Sequence, residues 1–344
     1  MPPSAAEPGL FFIRGSPRSG TNWVGALLNL HPHISCAGEF HLEHIFNAKH
    51  QIQALRWQLV AQEPVRSALD RAFQNMLREC IEAGCPGNPG TRWMGDRTPR
   101  EMLDICPGGS FFWIVRDGRD VLVSWTRHLL RNGPELIRVV VPEHAGRDAM
   151  LSLAARLAAD PCLFETDPPA LLSVEPWVRF FAGAWARRWR SDSGCAAYFD
   201  SPGSTSRVLR LRYEALVADV ESERANMYRF LDLDPSLAMP VSRQTRTTPA
   251  CRELTWQAYF SDANRRAFMQ QAGAALAEAG YAADGAPAPA DAVRPEPHAP
   301  ERTTTASSGA LSTASHPART CSPAHPSPAA AAASQPRGPL PGGR

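Results

Sequence analysis

The sequence predicts an α/β domain with a central parallel sheet flanked by helices, followed by a disordered tail. Three observations carry that prediction. Apolar, strand-like runs alternate with helical patterns over residues 10–283, the signature of a parallel sheet covered by helices. Residues 10–23, LFFIRGSPRSGTNW, and 114–125, IVRDGRDVLVSW, each carry an apolar strand through a short turn into a helix start. From Asp284 to Arg344 the composition shifts: 12 of the 32 prolines fall there, among Ala, Ser and Thr stretches without an aromatic residue. Such a segment buries too little apolar surface to offset its ordering entropy.

In chain order, residues 1–9 are expected to be a flexible N-terminus, residues 10–283 the folded domain and residues 284–344 the disordered tail. Strands are expected at Leu10–Ile13, Ile34–Ala37, Trp93–Gly95, Phe111–Val115 and Val208–Leu211, each a short apolar run bounded by turn residues. Helices are expected near Thr21–Asn29, Pro64–Glu82, Arg119–Arg131, Pro176–Arg190, Val220–Leu231 and Asp262–Ala279, where apolar residues recur at helical spacing. Within the fourth of these, Trp177, Phe180, Phe181, Ala184, Trp185 and Trp189 form one stripe, which reads as core. Arg187, Arg188 and Arg190 read as its solvated face.

Composition narrows the function classes. With 44% hydrophobic and 20% charged residues the chain is ordinary for a globular protein. A formal charge of +2 argues against nucleic acid as a general partner. Lys49 is the only lysine among 36 basic residues, so position, rather than the choice of Arg, must carry any argument about a cation. The eight cysteines are scattered without a CxxC pair or zinc spacing, which suits reduced thiols. Only four consecutive large apolar residues precede Arg14, too few for a signal peptide or membrane span. A cytoplasmic protein without a transmembrane segment is expected.

The first loop points to an anion. A strand, a glycine-bounded turn and a helix N-terminus aim backbone N–H groups and the positive end of the helix dipole at one place. Gly15 and Gly20 have the five-residue spacing of nucleotide-hydrolase phosphate loops, but Thr21 and Asn22 stand where Lys and Ser/Thr should follow. A phosphate-loop kinase is thereby disfavoured, and the cation of this loop is Arg18, inside it. Pro17, Arg18, Ser19, Gly20 and Thr21, with Asn22 and the aromatic Trp23 after them, resemble the 5′-phosphosulfate loop of sulfotransferases that use 3′-phosphoadenosine 5′-phosphosulfate (PAPS). The second segment resembles the 3′-phosphate segment of the same family. By that resemblance Arg116 and Ser124 hold the ribose 3′-phosphate, and Asp117 or Asp120 caps the helix. Trp23 would stack on the adenine. RVLRLRYEAL, residues 207–216, resembles a late strand of the family whose Tyr faces the base, here Tyr213. A basic C-terminal segment closes over the 3′-phosphate in the family. Here Arg243, Arg246 and Arg252 precede Trp256 without its glycine pattern, and Arg252 is the candidate.

Sulfuryl transfer needs in-line placement, removal of the acceptor's proton and stabilisation of charge on the leaving phosphate. Arg18 suits the last role electrostatically, since a guanidinium does not give up its proton. Glu39, in HPHISCAGEFH, resembles the catalytic base of the tyrosylprotein and carbohydrate branches; His41 and His44 compete with it. Gly95, Asp96, Arg97, Thr98 and Pro99 resemble a Gly-Asp-Lys-Thr-Pro element of bacterial and carbohydrate sulfotransferases, with Arg97 in place of Lys. An ion pair between Arg97 and Asp96 is its competing reading. The resemblance implies the PAPS sulfotransferase architecture, PAPS as co-substrate, no metal, and as acceptor a carbohydrate, lipid-linked, peptide or other small-molecule hydroxyl, with an amine as the alternative. A catalytically inactive PAPS-binding protein is the other alternative.

Overall fold

The computed structural model describes residues 7–54, 62–98, 106, 108–199, 205–242 and 255–282. The elements follow in the order β1 Gly9–Gly15, α1 Thr21–Leu28, β2 Ile34–Gly38, α2 Glu43–Ala54, α3 Glu63–Gly84, β3 Trp93–Asp96, β4 Ser110–Val115 and α4 Gly118–Asn132. Then come α5 Pro134–Val140, α6 Arg147–Ala159, α7 Leu163–Thr166, α8 Glu175–Phe199, β5 Arg207–Arg212, α9 Tyr213–Ala218, α10 Val220–Phe230 and α11 Asp262–Glu278.

The five strands form one sheet in the order β2-β3-β1-β4-β5, and every pairing is parallel. Each predicted strand is present, extended by one to three residues. β1 shows why these residues make a central strand. Phe11 and Ile13 face α1 and α10 in one apolar cluster, while Leu10 and Phe12 face Leu77 and Ile81 of α3 in another. Successive side chains point to opposite faces, so a strand covered on both sides must be apolar throughout. Phe112 and Ile114 of β4 join the first cluster, Phe111 and Trp113 the second. A third cluster lies among the helices α4, α5, α6, α8 and α11, where Trp177 donates from Nε1 to Thr126 Oγ1 at 2.9 Å.

Two expectations need correction. The flexible N-terminus predicted over residues 1–9 is too long, because Gly9 is already in the sheet, donating its N–H to Arg92 O at 2.8 Å. The solvated face of α8 holds for Arg187 and Arg190, which are exposed. Arg188 instead turns inward and donates from Nη2 to the Gly15 carbonyl at 3.2 Å. The helices α2, α5, α6, α7 and α9 come in addition to those predicted. The predicted tail lies outside the described residues, as do Pro99, Arg243, Arg246 and Arg252.

Candidate active site

Chain direction along the sheet determines where a ligand site falls. From β1 the chain moves outward to β2 and returns through β3, whereas β4 leads to β5 on the other side. The two halves part between β1 and β4, and crevices form at the carboxyl ends of strands at such a switch point. The turns 16–20 and 116–117 both sit there.

The first turn is held from within. Ser19, 1% exposed, donates from Oγ to Ser16 O at 2.6 Å. Gly20 caps α1 at φ 109°, a conformation open to glycine, and a Cβ there would lie 2.8 Å from the Tyr213 ring. Thr21 begins the helix, buried, with Asn22 exposed beside it. Arg18 has φ 71°, unusual for a residue with a side chain. Backbone strain of this kind persists where the surroundings over-determine it.

What over-determines Arg18 is the second turn, 98 residues on. Arg116 Nη1 donates to Arg18 O at 3.2 Å, and Arg18 Nε donates to Ser124 Oγ at 3.4 Å. The Arg116 guanidinium also lies 4.1 Å above the centre of the Tyr213 ring. Arg18, Arg116, Ser124 and Tyr213 are thus one cluster, and Asp117 is the helix cap, accepting from Arg119 N–H at 2.9 Å. The adjoining Glu214 accepts from Asp117 N and from the Tyr281 hydroxyl, both at 3.0 Å, which ties the end of β5 to the start of α4. Trp23 departs from expectation. It is 5% exposed, packs in the α1 core and meets Tyr213 edge-on with centroids 5.6 Å apart, so the core occupies the faces a base would need. Tyr213, only partly buried, is the aromatic surface at this edge.

Glu39 and Arg97 adjoin each other through their backbones. Arg97 N–H donates to Gly38 O at 3.2 Å, Phe40 N–H to Asp96 Oδ1 at 3.1 Å, and His41 N–H to Thr98 Oγ1 at 3.1 Å. Glu39 is exposed. Asp96 does not pair with Arg97: its Oδ2 lies 3.0 Å from Arg14 Nη1, with side chains 0% and 4% exposed. Arg97 runs its aliphatic arm close to Gly25 of α1, and its Nε is buried without an acceptor. Arg116 Nε is in the same condition. Buried donors without acceptors are rare in finished structures, and two cationic ones at this edge fit a ligand that brings anionic oxygens.

Sequence reasoning passed over His128. It lies one turn beyond Ser124 on α4, on the same face. Burial, and then the Arg18 charge, hold its ring below the ordinary imidazole range. Asn132 Nδ2 donates to His128 O at 2.7 Å and stands 3.2 Å from its Nδ1, and Trp125 stacks on it at 5.5 Å.

Asp120 carries a testable consequence. Burial pushes its carboxyl up to about 6 from 3.8, with Asp117 and Glu214 adding to the rise; Arg116 and the Trp256 N–H, 3.0 Å from Oδ1, work against it. An acid raised in the folded state contributes stability that is present below its unfolded value and lost as pH rises through the folded one. Asp120→Asn, which keeps an oxygen for Trp256, is therefore expected to gain stability relative to the parent protein between pH 5 and pH 8, by about 1 kcal/mol. Thermal melts of both proteins at the two pH values measure this, and a gap that stays constant would contradict it.

The chain is thus a parallel α/β protein whose two strand–turn–helix segments meet at the switch point of its sheet. Residues 8–162 match the model of the sulfotransferase family, the family that the two turns resemble. Over 126 residues the chain is 27% identical to a protein-tyrosine sulfotransferase of Drosophila melanogaster, a stretch that covers 33% of this chain and 24% of that protein. Among solved structures it is similar to a sulfotransferase from Alicyclobacillus acidocaldarius at 17% identity and TM-score 0.36, covering 70% of this chain and 89% of that one. It is similar also to the sulfotransferase domain of the curacin biosynthetic pathway, at 14% identity and TM-score 0.34, covering 75% and 80%.

Proposed function

We propose that the protein transfers a sulfuryl group from PAPS to a hydroxyl of a carbohydrate, lipid-linked or peptide acceptor. The observation that carries this is the junction of the two turns on Arg18: the Arg116 and Ser124 side chains both reach a residue about 100 positions away. A ligand with phosphate groups at two separated points suits two cation-bearing turns that share one crevice. PAPS, when bound, supplies the sulfuryl group on its 5′-phosphate.

The roles then follow from the side chains. The loop 16–20 and the start of α1 receive the 5′-phosphate end, and Arg18 places fixed positive charge where the leaving phosphate oxygen gains charge. Arg116, with Ser124, holds the 3′-phosphate. Tyr213 offers its ring to the adenine. Arg97 faces the transferred group, and Glu39, next to it in the 38–41 turn, takes the acceptor's proton. His128 is the second reading for that last role, favoured by its position beyond Ser124 within reach of the Arg18 charge.

The test compares melting shifts with 3′-phosphoadenosine 5′-phosphate and with 5′-AMP, together with transfer of labelled sulfate from PAPS to a panel of tyrosyl peptides, glycans, lipids and phenols. A ligand selective for the native state raises the melting temperature in proportion to its affinity. The bisphosphate should stabilise far more than 5′-AMP. Arg116→Ala removes a charge-assisted clamp of about 1.5–3 kcal/mol, so it should weaken bisphosphate binding roughly 10- to 100-fold. Its binding of 5′-AMP should hardly change. Equal shifts for the two nucleotides in the parent protein would defeat the reading.

A further inference from the structure

α8 brings side chains to the same crevice from a direction that the two turns do not use. Trp185, Arg188 and Trp189 stand at i, i+3 and i+4 and so share one face. Trp185 lies flat under the start of α4, where a Cβ on Gly118 would come within 2.6 Å of the indole. Trp189 stacks on Trp185 with centroids 6.2 Å apart at 12°, and Arg188 is fixed on the Gly15 carbonyl. Between this face and the ends of β1 and β4 is a cavity of about 10 Å³, bordered by Ser16, Val115, Arg116, Trp185, Arg188 and Trp189. That is room for a single water-sized oxygen atom.

Two donors on the residues that line it have no acceptor in the protein. Trp189 Nε1 and Arg116 Nε are both buried without an acceptor, and the guanidinium of Arg188 adds a second cation to that of Arg116. A neutral water would need acceptors for its own two hydrogens. An oxyanion needs none, and it gains charge-assisted bonds from every donor present.

We propose that Trp189 and Arg188 of α8 complete an oxyanion subsite with Arg116, and that an oxygen of the nucleotide's 3′-phosphate occupies it, with Trp189 Nε1–H as a donor. This rests on the PAPS reading above. Trp189→Phe keeps the ring stack and removes the donor. It should weaken 3′-phosphoadenosine 5′-phosphate about tenfold, the size of one hydrogen bond to a charged group, and leave 5′-AMP affinity unchanged. In the parent protein labelled with nitrogen-15, the indole N–H resonance that is missing from Trp189→Phe should move downfield as the bisphosphate is added, and to a lesser extent with inorganic phosphate. Equal bisphosphate affinity in the two proteins, or an indole resonance indifferent to both ligands, would overturn the subsite. Should the parent protein bind no bisphosphate, the PAPS reading falls, while the inorganic phosphate titration still decides for or against an oxyanion at Trp189. If Trp189→Phe fails to fold, selective labelling of the parent's indoles and Trp185→Phe as a control identify the resonance instead.

Discussion

Glu39→Gln is expected to lower turnover by about 10²- to 10⁴-fold, the span that a positioned general base contributes, and to leave the affinity for 3′-phosphoadenosine 5′-phosphate within about twofold. The split follows from where the residue sits. Glu39 leaves the end of β2 in the turn that also holds Gly38 and Phe40, and that turn is bonded to residues 96–98. Its carboxylate is exposed at the sheet edge, where an incoming acceptor can reach it. Gln has nearly the same shape and hydrogen-bonds similarly, but it does not take a proton at neutral pH. A change confined to kcat marks an interaction made only in the transition state, whereas a change confined to KM marks ordinary binding. Labelled PAPS, with whichever member of the panel accepts sulfate, gives both constants. Unchanged kcat would remove Glu39 from the mechanism, and the same measurement on His128→Gln would then ask whether the ring beyond Ser124 takes its place.

The parts of this site legible in the sequence are those in which chemistry and local geometry share a short segment. Arg18 stands in a turn between a strand of large apolar residues and a helix start, and Arg116 and Ser124 stand in a second such unit, so sequence spacing alone puts them at a sheet edge. The strands were legible for a similar reason. β1 and β4, buried on both faces, are unbroken apolar runs, LFFI and FFWIV, with turn residues at their ends. The helix α2, EHIFNAKHQIQA, alternates too many polar residues with its few apolar ones to stand out, and α5 is a short piece between Gly133-Pro134 and Pro142, with α6 following Gly146. Arg188 and Trp189 were illegible as site residues because their direction depends on the rotation of α8 about its axis, which is settled by Trp185 packing on Gly118, 67 positions earlier. The competing reading of Arg97 failed on the same kind of fact. The acid beside it in sequence is matched to Arg14, 82 positions away, a pairing set by the register of β1 against β3.

Asp96→Ala is expected to cost about 3–5 kcal/mol of stability, because it takes the carboxylate from a buried cation and the acceptor from three further donors. Arg14 is 4% exposed and Asp96 fully buried. The Asp96 carboxylate accepts four bonds: from Arg14 Nη1 at 3.0 Å, Phe40 N at 3.1 Å, Thr98 N at 3.2 Å and Thr98 Oγ1 at 2.7 Å. Three of these donors belong to the turns that carry Glu39 and Arg97, so the loss should appear in activity as well as in folding. Asp96→Asn keeps one acceptor oxygen and should fall between the parent and Ala. The decisive comparison adds Arg14→Met to Asp96→Ala. If the cost is an uncompensated buried charge, the double variant recovers much of the stability, because an apolar pair of similar volume has no desolvation to repay. It should not recover turnover, since Phe40 and Thr98 still lack their acceptor. Urea titrations of the parent, Asp96→Ala, Arg14→Met and the double variant give the coupling between the two positions directly. A single variant within 1 kcal/mol of the parent, or a double variant that restores both stability and rate, would show that the turn bearing Glu39 is held by something other than this carboxylate.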